Sequence, residues 1–127
     1  MNPLTLEWIN KAEGDFVTAR RELRARVAPN YDAACFHAQQ MAEKYLKAFL
    51  QENAKPVPHT HNLIDLLAIC TGIDASMVLM RSDLVRLDRF AVRFRYPGDT
   101  AEKDEAKQAF RSAVVFRQFI RARLGMA

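Results

Sequence analysis

Glycine and proline are scarce in this sequence, with four and five copies among 127 residues. Folds built mainly from β-strands need many tight turns, so this scarcity disfavours an all-β protein. Residues that favour helices, such as alanine, leucine, arginine and glutamate, are common instead. Half of the residues are hydrophobic. The length and composition therefore predict that residues 1–127 form a single globular domain with one core.

Cysteine is rarer still, with two copies. Cys35 and Cys70 stand in apolar surroundings and match no zinc-binding spacing, which favours small buried thiols. The N-terminal stretch MNPLTLEWINKAEGDF lacks the cationic and apolar segments of a signal peptide. No apolar run reaches the roughly 18 residues of a membrane span. We expect a reduced cytoplasmic protein that needs no cofactor and makes no membrane contact.

Apolar residues recur at helical spacing along most of the chain, which predicts an all-α fold. Five helices are expected, over about residues 4–27, 31–53, 61–70, within 75–94, and 100–124. Gly72 is expected to close the third helix, and Asp99 or Thr100 to cap the fifth, with Glu102 completing a capping box. The expected architecture is an up-and-down helical bundle of four long helices plus one short helix.

The net charge of +4 is modest, but its distribution is uneven. Arginine residues concentrate in residues 81–95 and again in residues 111–123. Part of the second cluster suits the negative end of a helix dipole. The remaining positive charge favours a partner that carries phosphate groups.

The second predicted helix contains an unusual polar set within YDAACFHAQQMAEKYLKAFL, residues 31–50. At 100° per residue, the polar residues opposite the apolar arc predict a solvent face formed by Asp32, Gln39 and Glu43. A third arc, about 80° wide, contains no carboxylate; its members are His37, Gln40, Lys44 and Lys47. Two interpretations stay open. This arc is either a boundary where lysine stems cover the edge of the core, or a site that faces an oxygen-rich partner.

Other polar residues stand near predicted helix ends. His59 and His61, two positions apart, do not share a helical face, so a metal site is not expected. His61 is expected to begin the third helix and to hydrogen-bond a neighbouring helix. Arg95 and Tyr96 precede Pro97, where they can bind a phosphate or stack on a base. They can equally cap the fourth helix.

Three motifs in this order resemble the HEPN domain family: FHAQQ-x-x-EK-x-x-KA, then H-x-L, then RYP. The resemblance covers nearly the whole chain and implies a homodimeric helical bundle with a shared cleft. It also implies nucleotide or RNA chemistry, commonly beside a minimal nucleotidyltransferase in a toxin–antitoxin-like pair. RNA-cleaving members carry an Arg-x(4–6)-His motif. This sequence contains no such motif and resembles the Arg-Tyr-Pro branch instead.

Three hypotheses for the function follow. The first is a binding module for a nucleotide or RNA phosphate, with a nucleotidyltransferase as protein partner. Its site residues would be His37, Gln40, Lys44, Lys47, His61, Arg95 and Tyr96. The second is a metal-independent ribonuclease in which His37 acts as general base and Arg95 stabilises the phosphate. The third is a purely structural network or dimer seam without a ligand.

Overall fold

Asparagine side chains begin three of the helices. Asn2, Asn30 and Asn62 each accept a hydrogen bond from a backbone N–H group in the first turn that follows. Such caps stabilise a helix by roughly 1 kcal/mol because they pair backbone donors that have no partner inside the helix. The computed structural model describes residues 1–93 and 97–127. Its α-helices are Pro3–Arg24 (α1), Tyr31–Glu52 (α2), Leu63–Ile73 (α3), Arg81–Asp88 (α4) and Lys103–Arg123 (α5).

Helix α2 occupies the centre of the bundle and packs against each of the other four helices. The start of α1 is hydrogen-bonded to the end of α2, so these two helices form an antiparallel pair. Asp32 at the start of α2 accepts from the backbone N–H of Ala101, just before α5, at 2.6 Å. Late in both helices, Arg121 donates to the hydroxyl of Tyr45 at 3.0 Å. Helix α5 therefore runs parallel to α2.

The predicted all-α bundle is confirmed, and the described residues contain no strand. The fourth segment differs from the expected long helix: it consists of a 3₁₀ helix Ala75–Met80, then α4, then a 3₁₀ helix Arg89–Ala91. In place of the expected four long helices and one short helix, the structure has three long α-helices and two shorter ones. A reason is visible at Asp74, whose carboxylate accepts from the backbone N–H and the hydroxyl of Ser76 at 3.0 and 2.6 Å. This contact favours a tight first turn.

Several expected helix boundaries are wrong. Helix α1 ends at Arg24 rather than at about residue 27, and α3 begins at Leu63, so His61 precedes it. Helix α3 continues through Gly72 to Ile73, since Gly72 does not adopt the left-handed conformation of a C-terminal glycine cap. Helix α5 begins at Lys103 after Glu102, which makes no capping hydrogen bond from its side chain. Neither Asp99 nor Thr100 caps this helix. Asp99 instead accepts from the guanidinium of Arg93 at 3.3 Å.

The core is formed by apolar side chains of all five α-helices, with α2 contributing most, and its largest fully buried members include Tyr45, Phe90, Phe116 and Met41. Cys35 and Cys70 are both buried and free, as the sequence predicted. None of the described helices combines the length and the apolar character that crossing a bilayer requires.

Candidate functional site

The arc of α2 that contains His37, Gln40, Lys44 and Lys47 is named here the polar edge. It lies between α1 and the segment that enters α3. The sequence showed no carboxylate on this arc. The structure supplies two of them, one from α1 and one from α2 itself. Each holds one lysine and one histidine.

The first carboxylate belongs to Asp15 of α1. One of its oxygens lies 2.7 Å from Nδ1 of His37, and the other accepts from Nζ of Lys44 at 2.5 Å. The Asp15 side chain is only 10% exposed, so its carboxylate is hydrogen-bonded by these two partners and is largely shielded from water. Asp15 was missed from the sequence, although it falls within the apolar stripe of α1 between Ala12 and Phe16. A charge on a core-facing position needs a partner, and that was the available signal.

The second carboxylate belongs to Glu43, which the sequence assigned to a solvent face. This assignment is wrong for Glu43 and Gln39, which are 4% and 0% exposed. The chain entering α3 covers them: Gln39 donates to the backbone carbonyl of His61 at 3.1 Å, and Nδ1 of His61 lies 3.1 Å from both Glu43 oxygens. Glu43 also accepts from Nζ of Lys47 at 3.1 Å, and this ammonium lies 5.6 Å from the ring centre of Trp8. His61 hydrogen-bonds a neighbouring helix, as expected.

Two adjoining cavities, of about 350 and 150 Å³, open beside the polar edge and share Phe36, Ala91 and Val92 in their walls. His37 lines the larger cavity together with Asp32, and Gln40 and His61 line the smaller one. We name the pair the α2 groove. The structure therefore brings together three of the predicted site residues.

The other predicted site residues are placed differently. Lys44 and Lys47 line neither cavity and are held by carboxylates, so their charges are already neutralised locally. Arg95 and Tyr96 lie outside the described residues. Within the part of the chain that the structure describes, no three His, Cys, Asp or Glu side chains come together as metal ligands would.

A second ionic network links α1, α2 and α5 on another side of α2. Glu13 accepts from the guanidinium of Arg117 at 2.5 and 2.8 Å and from the hydroxyl of Tyr45 at 2.6 Å. The hydrogen bond from Arg117 holds the pKa of Glu13 below its ordinary value, with further lowering by Tyr45. Burial, together with the bond to Glu13, raises the pKa of Tyr45 to about 12. The network is internally satisfied and connects three helices, which is a structural role.

Burial determines the chemical behaviour of the two thiols. Burial raises the pKa of Cys35 and of Cys70 to about 12. For Cys35, the nearby carboxylates of Glu105 and Asp32 contribute in the same direction. The thiolate is the reactive form, so burial disfavours reaction of either cysteine at neutral pH.

Comparison with known proteins agrees with this fold. The model of the family described as HEPN domain matches residues 5–123. The crystal structure of TT1696 from Thermus thermophilus has a TM-score of 0.74 with this chain, at 23% identity. The likeness covers 93% of this chain and 96% of that one. No curated protein matches the chain.

Proposed function

Because the chain belongs to the HEPN domain family, we propose that it is a nucleotide- or RNA-phosphate-binding module whose site is the α2 groove. The observation that carries this proposal is the convergence of His37, Gln40 and His61 on the two cavities. Arg95 and Tyr96 would complete the site: in the sequence Arg95 follows three residues after Val92, which lines both cavities. A guanidinium can bind a phosphate with two parallel hydrogen bonds, and a phenol can stack on a base.

The geometry changes the roles of the two lysines within this proposal. Lys44 and Lys47 are ion-paired with Asp15 and Glu43, so we assign to them the support of the groove rather than direct neutralisation of phosphate. Arg95 then becomes the principal phosphate ligand of the proposal. The Asp15–Lys44 and Glu43–Lys47 pairs also favour the structural hypothesis for these two lysines.

The proposed cellular role follows the habit of the family. The protein would act in the cytoplasm as a homodimer beside a minimal nucleotidyltransferase, in a toxin–antitoxin-like pair. Co-expression with a nucleotidyltransferase encoded beside it, followed by size-exclusion chromatography with light scattering, tests this role. Co-elution at a fixed stoichiometry supports the partnership. Separate elution of the two proteins contradicts it.

A calorimetric titration with ATP, GTP and a short single-stranded RNA tests the binding function. We expect saturable binding that an Arg95→Ala variant weakens about tenfold or more, as the loss of a charge-assisted contact implies. The matched control is Arg81→Ala, because Arg81 is exposed and lies outside the α2 groove. No binding of any of the three ligands would refute the function.

A ribonuclease is the second candidate, and one observation favours it. A general base needs a group that fixes its orientation, and Asp15 provides such a group for His37 through the 2.7 Å contact at Nδ1. His37 lines the larger cavity, and no hydrogen bond of the described residues engages its second ring nitrogen, Nε2. A His37→Ala variant that stays folded and loses RNA cleavage would establish this activity. An absence of cleavage in the unmodified protein would exclude it.

A further inference from the structure

The hydrogen-bonding capacity of the α2 groove follows from what its histidines already contact. An ionised carboxylate can only accept, so Asp15 requires Nδ1 of His37 to be the donor at their 2.7 Å contact. In the neutral imidazole the other nitrogen, Nε2, then carries the lone pair and is an acceptor. The same reasoning applies to His61, whose Nδ1 lies 3.1 Å from both oxygens of Glu43. Among the described residues, neither Nε2 atom has a partner.

Other polar groups of the groove also present hydrogen-bond acceptors. The amide nitrogen of Gln40 donates to Oε1 of Gln39 at 2.7 Å, which leaves the Gln40 carbonyl oxygen as an acceptor beside a single spare N–H. Asp32 adds a carboxylate to the larger cavity. The described lining thus offers several hydrogen-bond acceptors, while the side-chain amide of Asn30 adds N–H donors at the larger cavity.

The described part of these walls carries no positively charged side chain. No lysine or arginine occurs among the described residues that line either cavity. The nearest lysines of the polar edge are ion-paired with Asp15 and Glu43. A phosphate offers oxygen acceptors and negative charge, so the described groove walls do not complement it. A hydroxyl group does, because it can donate to the imidazole nitrogen.

Resting on the proposed function, we propose that the α2 groove holds the ribose of the nucleotide rather than its phosphate. The 2′-hydroxyl donates to Nε2 of His37, and the exposed ring of Phe36, which lines both cavities, contacts the apolar faces of the nucleoside. Asp15 is a positioning residue that keeps the donor hydrogen of His37 on Nδ1. The 2′-hydroxyl distinguishes RNA from DNA, so the groove selects ribonucleotides.

The test compares four ligands by calorimetry: adenosine, 2′-deoxyadenosine, inosine and adenosine 5′-monophosphate. We expect 2′-deoxyadenosine to bind about three- to tenfold more weakly than adenosine, as the loss of one hydrogen bond implies. A His37→Phe variant keeps a ring of similar size and should lose this preference. The matched control is His59→Phe, because His59 is exposed and lines neither cavity.

A measurement on the unmodified protein without ligand keeps the proposal testable even if the His37→Phe variant fails to fold. Nitrogen-15 chemical shifts of His37 at alkaline pH, where an imidazole is neutral, should report a proton on Nδ1 and none on Nε2. A proton on Nε2 would overturn the proposal whatever the ligands do.

The binding outcomes separate the two proposals. Equal affinity for adenosine and 2′-deoxyadenosine overturns the ribose assignment while leaving nucleotide binding intact. Inosine differs from adenosine only in its base. If adenosine is preferred over inosine but not over 2′-deoxyadenosine, the groove recognises the base, and the ribose assignment is likewise overturned. A ribose preference with no gain from the phosphate of adenosine 5′-monophosphate supports the ribose assignment and refutes the phosphate role. If none of the four ligands binds, both proposals are wrong.

Discussion

Replacement of Lys47 by methionine separates a structural role of the polar edge from a ligand-binding one. The Lys47 side chain is 7% exposed and donates to Glu43, whose side chain is 5% exposed, at 3.1 Å. Methionine has a similar length and no charge, so it can lie beside Trp8 in the same space. The substitution leaves the Glu43 carboxylate buried without its cationic partner.

The size of the effect follows from these contacts. Removing one member of a buried ion pair costs about 3–5 kcal/mol, because the other charge stays buried and unpaired. Glu43 keeps its contact with Nδ1 of His61 at 3.1 Å, and a hydrogen bond of this kind retains about 1 kcal/mol. We therefore expect Lys47→Met to lower the free energy of unfolding by about 2–4 kcal/mol. For a domain of this size, that is a fall in Tm of roughly 6–15 °C.

Urea denaturation and differential scanning calorimetry measure this change in the absence of ligand. The double variant Glu43→Met, Lys47→Met should recover most of the lost stability, because it removes both buried charges together. Lys107→Met, at an exposed position of α5, is the control and should stay within about 0.5 kcal/mol of the unmodified protein. A Lys47→Met variant as stable as this control would refute the reasoning, since Lys47 would then contribute nothing to the fold.

Three further outcomes are expected. Cys35 and Cys70 should resist alkylation in the folded protein at pH 8 and react fully in urea, because burial raises the pKa of each thiol to about 12. Mass spectrometry reports the labelling, and rapid labelling of the folded protein would contradict this prediction. Arg117 holds the pKa of Glu13 below its ordinary value of 4.5, so the stability that Glu13 contributes is present above that value and is lost as the pH falls through the lowered pKa. Unfolding measured against pH should therefore show Glu13→Gln less stable at neutral pH, with the difference vanishing in acid; a difference that does not change with pH would count against the contact. Asn62→Ala should cost about 1 kcal/mol, because two backbone N–H groups of α3 lose their acceptor; an unchanged urea midpoint would show that the cap contributes nothing.

Periodicity was sufficient to predict the three long helices, and it failed where the chain turns tightly. Long apolar stripes at 3.6-residue spacing have no other regular interpretation, so α1, α2 and α5 could be identified from them. In the fourth segment, Met77 and Met80 are three residues apart, a spacing that suits a 3₁₀ helix as well as an α-helix. The contact between Asp74 and Ser76 stabilises the tighter form, and propensity alone does not reveal it.

The candidate site was predictable only in part, for a related reason. A helical wheel shows which residues share a face, but it does not show which neighbouring element covers that face. Glu43 was therefore assigned to solvent, although the chain at His61 packs over it. Asp15 could not be paired with His37 and Lys44 from the sequence, because the contact joins two helices across 22 and 29 positions.

The most direct test of the central claim is a nuclear magnetic resonance titration of the nitrogen-15-labelled protein with adenosine 5′-monophosphate. The account predicts that the shifted resonances cluster around the α2 groove, at Phe36, His37, Gln40, His61 and Val92. Resonances of α5 on the side of Arg117 should not move. Shifts confined to α5, or none at saturating nucleotide, would contradict the claim that this groove is the binding site.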